Sequence, residues 1–316
     1  MKYYIGVDLG GTNIAAGIVD EKNNLIYKKS VPTVVTDRPE TIADDIVSLI
    51  KEITLEASVD FSDVIWLGIG TPGAVDYNSG SVNNAHNIGF YDFNLKEYVQ
   101  DRLPLKCFIE NDANAATYGE FVCGAAKDYN SAILITIGTG IGSGIIIDNK
   151  IFSGCAYTGA EMGHMVIIKD GEECTCGRKG CFECYCSATA LVKQTKTAMV
   201  KHPESTLWQI VDGNINKVDG KTVFEGLSLN DLTSKEIFEE YTDYFSLAIA
   251  NLVNIFAPEV VLLGGGVSNA GDILIDNLNK KVSSQTYIKK ENIIHVSQLK
   301  GDAGIIGAAL LGLLYK

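Results

Sequence analysis

The sequence predicts a mixed α/β protein made of two halves with the same plan. Each half opens with an apolar run, a glycine turn and a second apolar run that ends in a polar turn, which is typical of a β-hairpin. The glycine turn begins at Gly10 in the first half and at Gly138 in the second, so the plan repeats after 128 residues. Helical stretches and apolar strands follow each hairpin, and 316 residues are enough for two domains.

The elements of each half are predicted in chain order. In the first half we expect a hairpin at 3–26, a helix near 40–57, strands at 64–70 and 107–111, and a helix from Asp112 onward. In the second half we expect a hairpin at 132–152, helices near 187–200 and 234–256, and strands at 259–266 and 293–299. The last segment, 302–316, is predicted to be an apolar helix. We therefore predict an N-terminal lobe of residues 1–118, completed by this helix, and a C-terminal lobe of residues 119–301.

Composition and charge exclude several classes of partner. Hydrophobic residues make up 46% of the chain and charged residues 21%, a balance typical of globular proteins. The net charge is −13, which repels the phosphate backbone of nucleic acids and anionic membrane surfaces. The N-terminal residues lack the features of a signal peptide, and no run of apolar residues is long enough to span a membrane. We expect a cytoplasmic protein with neither a nucleic-acid nor a membrane partner.

Five of the eight cysteines lie in "CTCGRKGCFECYC", residues 174–186. Structural disulfides are disfavoured in a reducing compartment, so a metal site or a redox dithiol is favoured. The "CFEC" spacing at 181–184 would suit a dithiol, but the glycines at 177 and 180 favour a turn that presents metal ligands.

Three glycine-rich turns each follow a predicted strand: "DLGGTN" at 8–13, "GTGIGSG" at 138–144 and "GGG" at 264–266. Such turns allow backbone N–H groups to approach phosphate oxygens, and a nearby carboxylate such as Asp8 can hold Mg²⁺. A single Gly-Gly pair is more often a plain hairpin turn. Neither the dinucleotide fingerprint nor the P-loop motif occurs in the sequence.

Together, "DLGGTN", "GTPG" at 70–73, "END" at 110–112, "GTGIGSG", "GAEMGH" at 159–164 and "CTCGRKGC" at 174–181 resemble the ROK family of sugar kinases and sugar-responsive repressors, its glucokinases in particular. The resemblance runs from residue 3 to about residue 310. It implies a two-lobed actin-like, ribonuclease H-like fold, with a duplicated domain and an active-site cleft between the lobes.

The resemblance also implies roles for individual residues. It implies a structural Zn²⁺ in the loop 164–181, bound by His164, Cys174, Cys176 and Cys181, a donor set that gives zinc a closed tetrahedral shell. It implies that Asp112 is the general base, although an aspartate before a helix could instead be an N-cap. The implied sugar ligands are Gly73, Asn87, Asn111, Asp112, Glu161, His164 and Glu183. The implied ATP- and Mg²⁺-binding residues are Asp8, Gly10, Gly11, Thr12, Asn13, Gly138, Thr139, Gly140, Gly264, Gly265 and Gly266.

These implications predict an ATP-dependent hexose kinase that converts glucose to glucose 6-phosphate. N-acetylglucosamine, N-acetylmannosamine, mannose or fructose could replace glucose, and the protein is expected to form a homodimer or homotetramer. A sugar-responsive transcriptional regulator or noncatalytic sensor is the alternative class. A regulator would carry a helix-turn-helix before the first hairpin, whereas the first predicted strand begins at residue 3. Three residues depart from the family pattern: Phe90, in the aromatic position after Asn87, and the additional thiols of Cys184 and Cys186.

Overall fold

The computed structural model describes residues 1–36 and 38–315. The strands are β1 (Tyr3–Leu9), β2 (Asn13–Asp20), β3 (Leu25–Pro32), β4 (Val64–Thr71), β5 (Ala74–Asp76), β6 (Ser81–Ala85), β7 (Phe90–Asn94), β8 (Cys107–Asn111), β9 (Ala132–Ile137), β10 (Ile141–Ile147), β11 (Lys150–Ile151), β12 (Val260–Gly265) and β13 (Ile294–Val296). The α-helices are α1 (Pro39–Glu56), α2 (Leu95–Gln100), α3 (Asp112–Cys123), α4 (Glu183–Cys186), α5 (Ala188–Lys201), α6 (Leu207–Ile210), α7 (Thr222–Ser228), α8 (Leu232–Phe256), α9 (Asp272–Gln285) and α10 (Ala303–Tyr315). In this part of the chain, no helix has the length and apolar character that crossing a bilayer would require.

The chain divides into two compact units. The first contains residues 1–134, residues 144–160 and the C-terminal segment that begins at Gln298. The second contains Ile135–Ser143 and Glu161–Ser297. The lobe boundaries expected from the sequence, at residues 118 and 301, stay predictions, and each unit is described by itself below.

The first unit contains a five-stranded sheet with the order β3-β2-β1-β4-β8. Strands β1, β2 and β3 are antiparallel neighbours, whereas β4 is parallel to β1 and β8 is parallel to β4. The β1–β2 register pairs Tyr3 with Asp20 and Leu9 with Ile14, which confirms the predicted first hairpin. Because β1, β4 and β8 are parallel, their C-terminal ends lie at the same edge of the sheet.

Glycines in the central strands let helix α10 approach this sheet closely. A Cβ atom on Gly6 would lie 1.9 Å from the Ile305 carbonyl oxygen, and one on Gly68 would lie 1.8 Å from that of Ala308. The Trp66 indole N–H donates to the Ala309 carbonyl at 2.7 Å. Helix α10 also packs against α3, so the predicted C-terminal helix supports the helix that begins at Asp112.

The second five-stranded sheet has the order β11-β10-β9-β12-β13. When the five strands of each sheet are numbered 1 to 5 along the chain, both sheets have the same strand order, 3-2-1-4-5. This shared order confirms the repeated plan predicted from the two glycine hairpins. A smaller sheet, β5-β6-β7, lies in the first unit and is not predicted by apolar patterns, because its strands are short and carry polar residues.

An aromatic core fixes the helices of the second unit. Phe182, Tyr241 and Phe245 are completely buried, and the rings of Phe182 and Phe245 lie 5.2 Å apart. The Tyr241 hydroxyl donates to the Cys186 carbonyl at 2.7 Å. These contacts attach the short helix α4 to α8 and thereby fix the position of Glu183, the first residue of α4.

Most predicted elements are confirmed, including the helices near 40–57, 187–200 and 234–256 as α1, α5 and α8. The strand predicted at 293–299 is shorter, because β13 ends at Val296. Beyond it, the backbone N–H groups of Gln298 and Leu299 donate to the buried Glu120 carboxylate at 3.1 and 2.6 Å. A side chain therefore provides the acceptors that a neighbouring strand would provide in a sheet.

Candidate active site

In the first unit, two predicted carboxylates lie close together at the shared edge of the parallel strands. Asp8 is the penultimate residue of β1, and Asp112 follows β8 directly as the first residue of α3. Burial, together with the negative charge of Asp112, raises the pKa of Asp8 to about 6. A divalent cation would offset the repulsion between the two carboxylates, so Asp8 has a suitable environment for binding Mg²⁺.

The N-cap of α3 is Asn111 and not Asp112. The Asn111 side-chain oxygen accepts from the backbone N–H groups of Ala113 at 3.0 Å and Asn114 at 3.2 Å. Asp112 lies inside the first helical turn, where one carboxylate oxygen accepts from the Ala113 N–H at 2.8 Å. The capping role considered for Asp112 therefore belongs to its neighbour.

Two further pairs of predicted site residues meet in the first unit. The Asn111 amide donates to the Gly73 carbonyl at 3.2 Å. Gly73 has φ +94°, and a Cβ atom there would lie 2.1 Å from the Asn84 carbonyl oxygen, so the position requires glycine. The glycine turn of the first hairpin lies beside Asn87, because a Cβ atom on Gly11 would be 3.3 Å from the Asn87 amide nitrogen.

Hydrogen bonds fix the first glycine turn while three of its residues stay exposed. The Gly10 N–H donates to the Asn13 carbonyl at 2.9 Å, and the Thr33 hydroxyl donates to the Gly10 carbonyl at 2.7 Å. Gly11, Thr12 and Asn13 are all exposed. A fixed, exposed turn of this kind can present backbone N–H groups to an anion such as phosphate.

In the second unit, the glycine turn Gly138–Gly140 lies against Glu183. One Glu183 carboxylate oxygen accepts from the Ile141 N–H at 2.8 Å, and a Cβ atom on Gly140 would lie 2.3 Å from the same oxygen. The carbonyl of Gly138 accepts from the Ala188 N–H at 2.9 Å. Glu183 is therefore held in a fixed position, unlike a solvated surface glutamate.

The third glycine turn adjoins the second. Gly265 has φ +83°, and a Cβ atom there would lie 2.3 Å from the carbonyl oxygen of Ile137, the residue before Gly138. Gly264 is the penultimate residue of β12, and Gly266 begins the short 3₁₀ turn that follows the strand. Two of the three predicted nucleotide-binding turns thus lie side by side in the second unit.

The predicted zinc ligands form a compact cluster, also in the second unit. The ligand atoms of His164, Cys174, Cys176 and Cys181 all lie within 4.8 Å of one another. The Cys176 and Cys181 sulfurs are 3.7 Å apart. Two thiolates bound at about 2.3 Å to a tetrahedral zinc would be roughly 3.8 Å apart, so the residues fit this metal.

The backbone and the thiol chemistry of this cluster also suit a metal. The Gly177 N–H donates to the Cys174 carbonyl at 3.0 Å, and Gly177 has φ +81°, a turn that presents Cys174 and Cys176 on one side. Burial would raise the pKa of the Cys174 thiol, but hydrogen bonds from Cys176, His164 and Cys181 lower it to about 6. These neighbours stabilise the thiolate, which is the form that binds zinc.

The loop before the cluster contains two predicted sugar ligands. His164 directs Nδ1 to the Cys174 sulfur at 3.6 Å, so its Nε2 is the nitrogen that remains for another partner. The His164 N–H donates to the Glu161 carbonyl at 3.1 Å, and the Glu161 side chain is exposed. The two residues therefore belong to one hydrogen-bonded turn.

The structure also shows where the three residues that depart from the family pattern lie. Phe90 is completely buried and its ring lies 5.0 Å from that of Phe93, so it is a core residue without a surface that a sugar could contact. The Cys186 thiol is completely buried, and the Cys184 sulfur lies 3.6 Å from the Glu173 carbonyl oxygen.

One residue with a potential role was missed: the carboxyl group of Glu110 is buried directly before Asn111. A glutamate in the apolar strand "CFIE" was the available signal.

The architecture defines a duplicated mixed α/β protein of the actin-like ATPase class, as predicted. The chain belongs to the ROK family, which it matches over residues 4–313.

Three relatives indicate where the chain lies within this family. A glucokinase of Streptomyces coelicolor is 36% identical over 312 residues, which cover 96% of each chain. The crystal structure of a ROK family glucokinase from Streptomyces griseus in complex with glucose and AMPPNP superimposes with a TM-score of 0.84, at 36% identity and 98% coverage of both chains. A xylose repressor of Bacillus spizizenii is 30% identical over 90% of this chain and 70% of its own length.

Proposed function

We propose that this protein is an ATP-dependent hexose kinase that transfers the γ-phosphoryl group of ATP to the 6-hydroxyl of glucose. The similarity to glucokinases over nearly the full length of both chains supports this function. The observation that carries it is the position of Asp112, in the first turn of α3 and beside the partly buried carboxyl of Asp8.

Asp112 is the proposed general base. It accepts the proton of the sugar hydroxyl as the hydroxyl oxygen attacks the γ-phosphorus, and the bond to the β,γ-bridging oxygen of ATP breaks. Asn111 caps the N-terminus of α3, so Asp112 is not needed as the N-cap. In phosphoryl transfer, positioning and charge stabilisation contribute more than proton abstraction, so a carboxylate ionised at neutral pH is sufficient.

The other predicted residues have proposed binding roles. In the first unit, Gly73, Asn87 and Asn111 bind sugar hydroxyls, and in the second Glu161, His164 and Glu183 do so. Amide and carboxylate groups supply the directional donors and acceptors that a sugar ring requires. The glycine turns at 10–13, 138–140 and 264–266 bind ATP through backbone N–H groups.

Two metal ions complete the proposal. Asp8 would hold Mg²⁺, which when bound neutralises phosphate charge. His164, Cys174, Cys176 and Cys181 would hold a structural zinc that fixes the loop carrying Glu161 and orients the imidazole of His164. We also propose that the protein acts as a homodimer or homotetramer.

The decisive experiment is a coupled assay with ATP and a panel of glucose, mannose, fructose, N-acetylglucosamine and N-acetylmannosamine. We expect glucose to have the highest kcat/KM. Asp112→Asn is expected to lower kcat by about 10²–10⁴-fold while glucose still binds in calorimetry.

Two outcomes would contradict the proposal. Glucose binding without turnover by the wild-type protein would indicate a noncatalytic sensor. An Asp112→Asn variant with wild-type kcat would exclude Asp112 as the base.

A further inference from the structure

A buried carboxyl group lies directly behind the proposed catalytic turn. Glu110 is 1% exposed at the end of β8. One of its oxygens accepts from the Asn111 N–H at 2.9 Å and from the Asn114 side-chain amide at 3.0 Å. The other oxygen accepts a hydrogen bond from the Tyr315 hydroxyl. Glu110 is therefore bonded to residues on both sides of Asp112.

The Glu110 carboxyl group provides a hydrogen-bond acceptor at the end of strand β8. Strand β8 is an edge strand of the five-stranded sheet and pairs with β4. Glu110 accepts the hydrogen bond of the Asn111 N–H at the point where the strand changes into helix α3. Burial raises the pKa of Glu110, and the hydrogen bonds from Tyr315, Asn114 and Asn111 offset this rise only in part.

Aromatic contacts fix the tyrosine that bonds to Glu110. The Tyr315 ring stacks on Tyr77 with centroids 4.6 Å apart and an interplanar angle of 12°. Tyr77 in turn meets Tyr157 edge to face at 5.0 Å, and the Asn78 amide donates to the Tyr157 hydroxyl at 2.9 Å. Tyr157 has φ +59°, a conformation that a non-glycine residue keeps only when its surroundings hold it there.

We propose that Glu110 and Tyr315 are positioning residues for the proposed reaction, acting through the hydrogen bonds that fix Asn111 and the first turn of α3. Tyr315 orients the Glu110 carboxyl group, and Glu110 sets the position of Asn111 and the direction of the Asp112 side chain. This inference rests on the proposed function, because Asn111 and Asp112 are its sugar ligand and general base.

The test compares three substitutions in the full-length protein. Glu110→Ala removes the acceptor of Asn111 and Asn114, and we expect kcat to fall by about 100-fold, the effect of a displacement of about 1 Å in a reacting group. The KM for glucose should rise while the KM for ATP stays unchanged.

The two milder substitutions separate the hydrogen bond from the rest of the side chain. Tyr315→Phe keeps the stacking on Tyr77 but removes the hydroxyl, and a loss of roughly tenfold in kcat/KM for glucose is expected. Glu110→Gln should restore near wild-type kinetics, because its amide oxygen can accept from Asn111 and Asn114 and its amide N–H can donate to the Tyr315 oxygen. The effect of Tyr315→Phe should also disappear in the Glu110→Ala background, since the tyrosine acts through Glu110.

Two matched controls measure what destabilisation alone does. Tyr27→Phe removes a tyrosine hydroxyl from another carboxylate, that of Glu56. Glu120→Gln alters a second completely buried glutamate of the first unit, one that accepts from the Ala125, Gln298 and Leu299 N–H groups. Both controls should keep wild-type kcat and KM, even where the melting temperature of the Glu120 variant falls.

Several results would overturn the inference. Wild-type kinetics in Tyr315→Phe would do so, and this variant decides alone if Glu110→Ala fails to fold. A Glu110→Gln variant as impaired as Glu110→Ala would also contradict it. If the wild-type protein phosphorylates no hexose, the proposed function fails, and calorimetry then decides the positioning role: weaker glucose binding in Tyr315→Phe supports it and unchanged binding overturns it.

Discussion

Replacing Gly140 with alanine should weaken sugar binding through an indirect contact with Glu183. The φ angle of Gly140 is not positive, so its backbone accommodates alanine. The new Cβ atom would lie 2.3 Å from one oxygen of the Glu183 carboxylate, whereas ordinary contacts begin at 3.4 Å. The carboxylate must therefore move by about 1 Å, which breaks its 2.8 Å hydrogen bond from the Ile141 N–H.

The size of the effect follows from the hydrogen bonds that this movement breaks. A hydrogen bond to a charged group contributes about 1.5–3 kcal/mol. If Glu183 binds a sugar hydroxyl and loses that bond as well, the KM for glucose should rise about 10- to 100-fold. The fold should persist, because Glu183 is the end of a flexible side chain and not part of the backbone.

Steady-state kinetics and calorimetry with glucose provide the measurement. Gly138→Ala is the matched comparison, since no described atom lies within 4 Å of a Cβ atom there and Glu183 does not have to move. In that variant the KM for glucose should stay at the wild-type value, and any change should appear in the KM for ATP. A folded Gly140→Ala protein with an unchanged KM for glucose would refute the role of Glu183.

Three further predictions concern the residues proposed to bind metals. Protons compete with Mg²⁺ for Asp8, whose pKa is raised to about 6. The apparent affinity for Mg²⁺ should therefore fall about tenfold per pH unit below pH 6. A pH-independent affinity from pH 7 to 5 would contradict this. Without Mg²⁺, the raised pKa means that ionised Asp8 is unfavourable in the folded state. The free energy of unfolding should therefore fall by about 3 kcal/mol as the pH rises from about 3.8 to 6. Asp8→Asn should accordingly raise the melting temperature at pH 7. The purified protein should contain about one zinc ion per chain by mass spectrometry. The Cys176→Ala variant should lose the zinc and melt at a lower temperature. A metal-free wild-type protein of full stability would exclude the zinc site.

Local sequence patterns were enough to predict the repeated architecture. A glycine turn between two apolar runs specifies a hairpin wherever it occurs, because strand periodicity and turn geometry depend on near neighbours. The Cys₃His ligand set was implied by the resemblance to the ROK family, and its four ligands lie close together within one loop, between His164 and Cys181.

Only the tertiary structure decided how individual side chains of the candidate site are held. Asn111 and Asp112 are both favoured N-cap residues, and the backbone geometry at the end of β8 assigns the cap to Asn111. Phe90 departs from the family pattern in the aromatic position after Asn87, and only packing shows that it lies in the core.

Long-range hydrogen bonds explain the rest of this difference. Glu183 bonds to a residue 42 positions away, and Glu110 bonds to a tyrosine 205 positions away. No local pattern encodes such partners, because they depend on which helix covers which strand. The sequence by itself therefore determined the elements and the chemical groups, while the packing of α10 and α4 decided which carboxylates are buried and what they bind.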